Sequence, residues 1–398
     1  MGDDSSTSKV AHAGSSLMEL IHTQIRRTIE EVLEWELSAT LSAERYQRGV
    51  SNRGGYRNGR RRRRLSGPTG EVELTVPRAI LNQPAAQGRE WSSRLLPRYR
   101  RRMVEIDQAL VAVYLAGTNT RKLKGALAPL LRATAMSRST VSRMVCALKQ
   151  QFEQWCQREL AGLKLKYLYL DGFSMRVRRD GKVVSSPVLA AVAVLEGGHK
   201  QLLALEMAGS ESAQSWRDFL DDLVRRGLRA PTLCIIDGNP GLRRALAEVW
   251  PTAAIQRCQV HKLRNLLAKA PQHSRQELTR DYHRISYANS LRQARLHWRA
   301  LVSKWRTRCP AVVTSLEEGG EELLTYLRFP ATQWRSLRTT NAIERLNEEF
   351  RRRVKTQGAL PGEHAALVLL FALVATGQIR LRKIDGFPQL AANQQLAA

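Results

Sequence analysis

The run Leu233-Cys234-Ile235-Ile236 is apolar at four consecutive positions and is closed by Asp237-Gly238. A strand sends alternate side chains to opposite faces, so so short and continuous an apolar run demands cover on both. That is the situation of an inner strand in a layered α/β domain. The neighbouring sequence agrees. Leu163 to Leu170 reads as a strand ending at Asp171-Gly172, and Val183–Val194 and Gln201–Met207 read as two more, separated by Gly197-Gly198. Ser210-Glu211-Ser212 caps a helix to about Arg226, a helix covers about 242–250, and a short strand covers about 253–256. Three strands, helix, strand, helix and strand define an α/β fold class. Residues 262–335 read as almost wholly helical, with Trp298, Trp305 and Trp334 as packing anchors. Pro361-Gly362 then breaks the chain before a last apolar helix at 363–378.

The first part of the chain has another character. Residues 1–15 read as a disordered leader, and Leu17, Leu20, Ile21, Ile25, Ile29, Val32 and Leu33 then recur at helical spacing. Glycine and asparagine around Gly54-Gly55-Tyr56-Arg57-Asn58-Gly59 punctuate a loop, which leads into the run Arg60, Arg61, Arg62, Arg63 and Arg64. Val72, Leu74 and Val76 alternate as a short strand that stops at Pro77. Residues of about 118–150 read as a helix-turn-helix, whose second helix offers Ser139, Thr140, Ser142 and Arg143 to a DNA major groove. The region 16–160 is therefore expected to be mainly helical and to bind DNA, while residues 386–398 form a Gln/Ala-rich tail.

Charge narrows the function classes. Lys and Arg number 64 against 36 Asp and Glu, a formal charge of +28, and such a surface calls for a polyanionic partner. A membrane role is not expected, because the longest apolar run, Ala365–Ala375, has 11 residues where a spanning helix needs about 20. The five cysteines include no Cys-x-x-Cys pair, as expected of a reduced, cytoplasmic protein.

The chemistry is expected at the two Asp-Gly turns. If their strands are neighbours, Asp171 and Asp237 project from one sheet edge, where carboxylates can hold Mg²⁺ for in-line phosphoryl displacement. A third acid is wanted. The segment Asn341-Ala342-Ile343-Glu344-Arg345-Leu346-Asn347-Glu348 offers Glu344 and Glu348 on one helix face, and spacing does not choose between them. Arg345, Arg351, Arg352 and Arg353 are candidate phosphate clamps. Cys258 and His261 form a lone Cys-x-x-His, which is half a zinc site without a second pair, so a structural or DNA-positioning role is favoured.

Several segments carry a family resemblance. Tyr167-Leu168-Tyr169-Leu170-Asp171-Gly172, Asp237-Gly238-Asn239-Pro240-Gly241-Leu242, Cys258-Gln259-Val260-His261 and Arg338-Thr339-Thr340-Asn341-Ala342-Ile343-Glu344-Arg345-Leu346-Asn347 are similar to motifs of the Mutator-type insertion-sequence transposases, which are DDE recombinases. Tyr56-Arg57-Asn58-Gly59, Val76-Pro77-Arg78, Val141-Ser142-Arg143 and Ser210-Glu211-Ser212 with Trp216 add to the likeness, which runs from about residue 40 to 380. The resemblance implies a ribonuclease H-like core in two parts, 161–261 and 336–385, interrupted by an all-helical insertion at 262–335. It also implies Asp171, Asp237 and Glu344 as metal-binding catalytic acids, two Mg²⁺ ions with Mn²⁺ as substitute, and Cys258, His261 and Asn341 in supporting positions.

The expected function is a DNA transposase in the bacterial cytoplasm, associated with the nucleoid. It would bind terminal inverted repeats through Arg57, Arg60–Arg64 and the helix at Ser139–Arg143, cleave the DNA ends, and join the freed 3′-hydroxyl to target DNA. Its partner is double-stranded DNA, on which two active sites imply a homodimer. The rivals are a DNA-binding regulator without catalysis and a metal-dependent nuclease without strand transfer.

Overall fold

The computed structural model describes residues 5–47, 53–67, 70–82, 89–98, 103, 138–355, 360 and 362–392. The chain divides into two units, Met1–Val145 and Cys146–Ala398.

In the first unit, helix α1 (Ser5–Leu41) lies along an antiparallel hairpin of β1 (Gly55–Gly67) and β2 (Gly70–Leu81). Ile25, Ile29 and Leu33 recur every four residues and pack with Leu65, Val72, Leu74 and Val76. One turn further on, Leu37 and Leu41 meet Ala79 and Trp91. The helix reaches back to Ser5, so the disordered leader expected at 1–15 is corrected for residues 5–15, a stretch with no proline to stop a helix.

The basic loop is also corrected. Arg57 and Arg60–Arg64 lie within β1, where Arg57 and Arg60 pair with Glu34 and Arg64 pairs with Glu71. Arg57 donates to Glu34 at 2.6 Å and to Ser38 at 2.8 Å, and Arg63 donates to the carbonyls of Leu96 and Pro97. Strand β2 does not stop at Pro77 either. Pro77 stands opposite Arg60 just where the register shifts, at an irregularity that contains Gly59 with φ +72°. A proline lacks an N–H, and an irregular position in a two-stranded ribbon does not require one. The first helix of the expected helix-turn-helix lies outside the described residues. Ser139, Thr140, Ser142 and Arg143 fall in helix α2 (Arg138–Gln157), with their side chains outside the description.

The second unit is built on a mixed five-stranded sheet in the order β5-β4-β3-β6-β7. Strands β3 (Leu165–Arg179), β4 (Lys182–Leu195) and β5 (Lys200–Met207) form an antiparallel meander, while β6 (Leu233–Ile236) and β7 (Ala254–Arg257) run parallel to β3. The pattern of β3 explains its two covers. Leu168 and Leu170 join a core with Trp216 and Phe219 of helix α3 (Ala213–Arg225) and with Leu242 and Leu246 of helix α4 (Pro240–Val249). Tyr167, Tyr169, Asp171 and Phe173 occupy the alternate positions, hence the opposite face.

The expected end of this strand at Asp171-Gly172 is corrected: β3 continues to Arg179 because β4 pairs with it along its whole length. What ends near Asp171 is the shorter parallel neighbour. Tyr169 is level with Ile235, so Asp171 and Asp237 are level in turn, one inside a strand and one just past a strand end.

After β7 come helices α5 (Gln259–Lys269), α6 (Arg275–Ser286), α7 (Leu291–Arg308) and α8 (Pro310–Gly319), followed by short 3₁₀ turns and helix α9 (Trp334–Leu337). This helical stretch has its own core around Leu278, Tyr282, Leu301 and Trp305, which Trp298 flanks; Trp334 instead donates to the Phe329 carbonyl. Helix α10 (Asn341–Lys355) then packs on β3, where Phe350 stacks on Phe173 with ring centroids 5.9 Å apart. Helix α11 (Glu363–Ala375), apolar all round, packs against β3 and β5. Among the described residues no helix is long and apolar enough to cross a membrane.

Candidate active site

Three elements bring Asp171, Asp237 and Glu344 to one cavity of about 240 Å³. At about 30 Å³ per water this holds roughly eight waters' volume, room for hydrated cations and a phosphate group. Asp171 comes from β3, Asp237 from the turn after β6, and Glu344 from the first turn of α10. Tyr167 and Tyr169, on the Asp171 side of β3, fix the distance between the strand and that helix. Their hydroxyls donate to Gln333 at 2.6 Å and to the Ser336 carbonyl at 2.9 Å, just ahead of α10.

Each acid is held differently. Asp171 is 8% exposed and accepts a 2.7 Å hydrogen bond from Asn347. Its pKa rises from the usual 3.8 to about 7, chiefly through burial and then through the charges of Asp237 and Glu344. Asp237 accepts from the Asn239 N–H at 2.9 Å, and Asn239 caps α4 by accepting from Leu242, with Pro240 at the first helical position. The Asp237 turn needs a glycine after it. Gly238 has φ +102°, and a Cβ there would stand 2.8 Å from the Arg257 guanidinium. Arg257, itself buried, bonds the Gly238 carbonyl and pairs with Glu318 of α8 at 2.7 Å, which ties the Asp237 turn to the helical stretch after β7.

Glu344 accepts from the Thr340 hydroxyl, and its Oε1 lies 3.6 Å from His261 Nδ1. The Cys-x-x-His pair sits beneath it. The Cys258 N–H donates to the Ile236 carbonyl at 2.7 Å, which sets Cys258 at the end of β6, and its Sγ accepts from the Thr340 N–H at 3.4 Å. Burial pushes the Cys258 thiol up, but hydrogen bonds with His261 and Thr340 more than offset it and leave the thiol lowered. His261 is raised to about 9, first by its bond with Cys258 and against its burial. Among the described residues the potential metal ligands that converge within 4.8 Å are Cys258, His261 and Glu344. The three acids instead line the cavity without meeting at one point, an arrangement of hard oxygen donors that suits Mg²⁺ or Mn²⁺ better than zinc.

The structure separates the two glutamates that spacing left equal. Glu344 is held by Thr340 and His261, whereas Glu348 is exposed at the cavity rim beside Arg351. The arginines of α10 also part company: Arg351 lines the acidic cavity, while Arg345, Arg352 and Arg353 line another on a different face of the helix. Asn341 opens the helix and is exposed.

Sequence reasoning did not single out three residues of this site. Asn347 stands three residues after Glu344, so helical spacing already places it on the same face. Glu211, ahead of α3, lays its carboxylate over Gly172, where an added Cβ would come within 2.8 Å of its Cδ, and it accepts from Asn239 at 3.4 Å. Burial and then the Asp237 charge raise its pKa. Arg257 belongs to the segment Gln256-Arg257-Cys258-Gln259-Val260-His261 that carries the family resemblance, but its role was not read, since its partner Glu318 is distant along the chain.

A mixed α/β sheet with acids from a mid-strand position, a strand end and a helix gathered on one cavity defines a class of proteins with a carboxylate-lined site, and comparison with known proteins narrows it. Residues 3–379 match the family described as "Transposase, Mutator family", and the chain belongs to that family. It is 36% identical over 349 residues to the transposase for insertion sequence element ISRM5 of Rhizobium meliloti (strain 1021), covering 88% of this chain and 85% of that one. The transposase for IS905 of Lactococcus lactis subsp. lactis (strain IL1403) is 30% identical over 89% of this chain and 88% of its own. The transposase for IS406 of Burkholderia multivorans (strain ATCC 17616 / 249) is 31% identical over 88% of each chain.

Proposed function

We propose that this chain is a DDE transposase that binds the terminal inverted repeats of its element, cleaves the DNA ends by metal-dependent phosphodiester hydrolysis, and joins the 3′-hydroxyl to target DNA. The observation that carries the reading is the convergence of Asp171, Asp237 and Glu344, from separate elements, on one cavity beside Arg264 and Arg351. The sheet order, an antiparallel meander extended by two parallel strands, supports a ribonuclease H-like core with the helical insertion before its last acid.

In this reading Asp171, Asp237 and Glu344 would hold two Mg²⁺ ions, or Mn²⁺. Bound there, such ions activate the attacking oxygen and stabilise the leaving oxygen of an in-line displacement. The chain's own groups do the positioning. Asn347 fixes the Asp171 carboxylate, and the Asn239 N–H fixes that of Asp237. Thr340, His261 and Cys258 orient Glu344 from its own side of the cavity. Arg264 and Arg351 at the rim offer charge to phosphates on either side of the reacting one. Both steps are displacements at phosphorus, so one site serves both and no covalent protein–DNA bond is needed. Two DNA ends require two such sites, hence a homodimer on DNA in the bacterial cytoplasm.

The test is Asp171→Ala with a duplex carrying the element's terminal repeat. Mg²⁺-dependent nicking is lost while the mobility shift of the duplex persists; unchanged nicking would refute the assignment. A pre-cleaved 3′-OH end given to the wild-type protein yields joined products, and their absence would leave only a nuclease.

A further inference from the structure

On the far side of α10 from Asn347 lies a second and larger cavity, of about 700 Å³, which the proposed chemistry does not use. Its walls bear Lys200 from the start of β5, Arg345, Arg352 and Arg353 from α10, and Arg380 and Arg382 from the segment after α11. Two of these have protein partners: Arg352 pairs with Glu349 at 2.6 Å, and Arg353 reaches the Gln378 carbonyl. The side chains of Lys200, Arg345, Arg380 and Arg382 make no hydrogen bond or ion pair with any other described residue. Lys200 is half-buried, and its pKa is lowered first by that burial, with Asp385 opposing and Arg345 adding to the effect. Cations left unpaired in a shared concavity repel one another, and an anion entering it relieves the cost.

A neighbouring cavity fixes what kind of anion. It measures about 650 Å³ and shares Lys200, Ile379, Arg380 and Leu381 with the first, but its remaining walls are mainly apolar and include Trp155, Leu202 and Phe371. A row of cations that continues into an apolar, aromatic-bearing pocket has the two chemistries of an unpaired strand, a charged backbone and exposed base faces. A duplex keeps its bases stacked inside and offers nothing to the second cavity. Only the width of α10, about 10 Å, parts this groove from the acids, and Glu348 lines both cavities.

We propose that this paired groove binds single-stranded DNA, with the backbone against Lys200, Arg345, Arg380 and Arg382 and one or two bases in the cavity beside Trp155 and Leu202. The strand it takes is the unpaired stretch next to the reacting phosphate. This rests on DNA being the substrate, but it concerns binding alone and is read without catalysis.

The test uses the full chain in EDTA, with fluorescent oligothymidylate and a duplex of equal length as probes. The three positions changed in Lys200→Gln/Arg380→Gln/Arg382→Gln lie outside the acidic cavity, and the two arginines are exposed, so the fold is kept. Loss of three phosphate contacts flattens the salt dependence of single-strand affinity by about 2 in slope and weakens binding about tenfold or more at moderate salt. Duplex affinity changes less. A second readout places 2-aminopurine in a single-stranded tail: its fluorescence changes on binding the wild-type protein and does not in Leu381→Asp. An unchanged salt slope would overturn the groove, and equal losses on both probes would overturn its preference for single strands. Failure of the wild-type protein to nick DNA with Mg²⁺ would strike the proposed function and leave these readouts standing.

Discussion

Asp171→Asn is expected to make the metal-free protein more stable while destroying its activity. The buried carboxylate is crowded by Asp237 and Glu344, and its pKa stands at about 7 against the usual 3.8. At about 1.36 kcal/mol per pH unit the gap caps the cost of ionising it in the folded state at about 4 kcal/mol. The neighbouring acids share that crowding, so about 2 kcal/mol is the working figure. Asparagine has the same shape and keeps an oxygen to accept the Asn347 hydrogen bond, so packing is preserved. Because the folded pKa is raised, the wild-type protein binds more protons folded than unfolded, and this contribution is lost as pH rises. Below about pH 4 the group is protonated in both states and the variant gains nothing; the gain grows between about pH 4 and 7 and is complete above. For a unit of this size that is about 4–8 °C in Tm at pH 8. Thermal unfolding followed by circular dichroism in EDTA, at pH 4, 6 and 8, measures it. A Tm at pH 8 equal to or below the wild type, or a gain already full at pH 4, would refute the electrostatic reasoning.

Other outcomes follow from the same geometry. Glu344→Gln abolishes Mg²⁺-dependent nicking, whereas Glu348→Gln at the exposed rim lowers it by less than about tenfold; the opposite order in a plasmid-nicking assay would make Glu348 the third acid. Cys258→Ala removes the acceptor for the Thr340 N–H and slows nicking about 10–100-fold with duplex binding retained, an effect typical of groups that orient a ligand, and Cys258→Ser restores part of it. Gly238→Ala forces a side chain into a positive-φ turn against Arg257 and costs about 1–3 kcal/mol, read as a lower midpoint in urea unfolding.

The strand-helix alternation of the second unit was readable because each element buries one consistent face, so period and punctuation agree. The level placement of Asp171 and Asp237 was expected only on the condition that their strands are neighbours, which the parallel pairing of β3 with β6 meets. The length of β3 did not, since Asp-Gly ends strands often and only the pairing with β4 carries the chain through it. The arginine run hid a strand for a simpler reason: identical residues have no period, and the partners that make a strand tolerable, Glu34 and two carbonyls, come from elsewhere in the chain. Spacing could pair Glu344 with Glu348 but could not rank them, because the ranking depends on Thr340 and His261. Asn347 was within reach of a helical wheel. Arg257 and Glu211 were not, as each matters only through a contact made by folding.

The contact of Arg257 with Glu318 bears on any attempt to trim the protein to a minimal catalytic domain. Glu318 also pairs with Lys262 at 2.6 Å, so one carboxylate from α8 is shared by two buried cations at the base of the Asp237 turn. Excising the helical segment would not resemble shortening a surface loop. It would strand Arg257 without its carboxylate, a loss of about 3–5 kcal/mol for a buried charge left alone. A shortened chain therefore has to carry a replacement at 257, or a carboxylate supplied from a new direction, before Asp237 can keep its place.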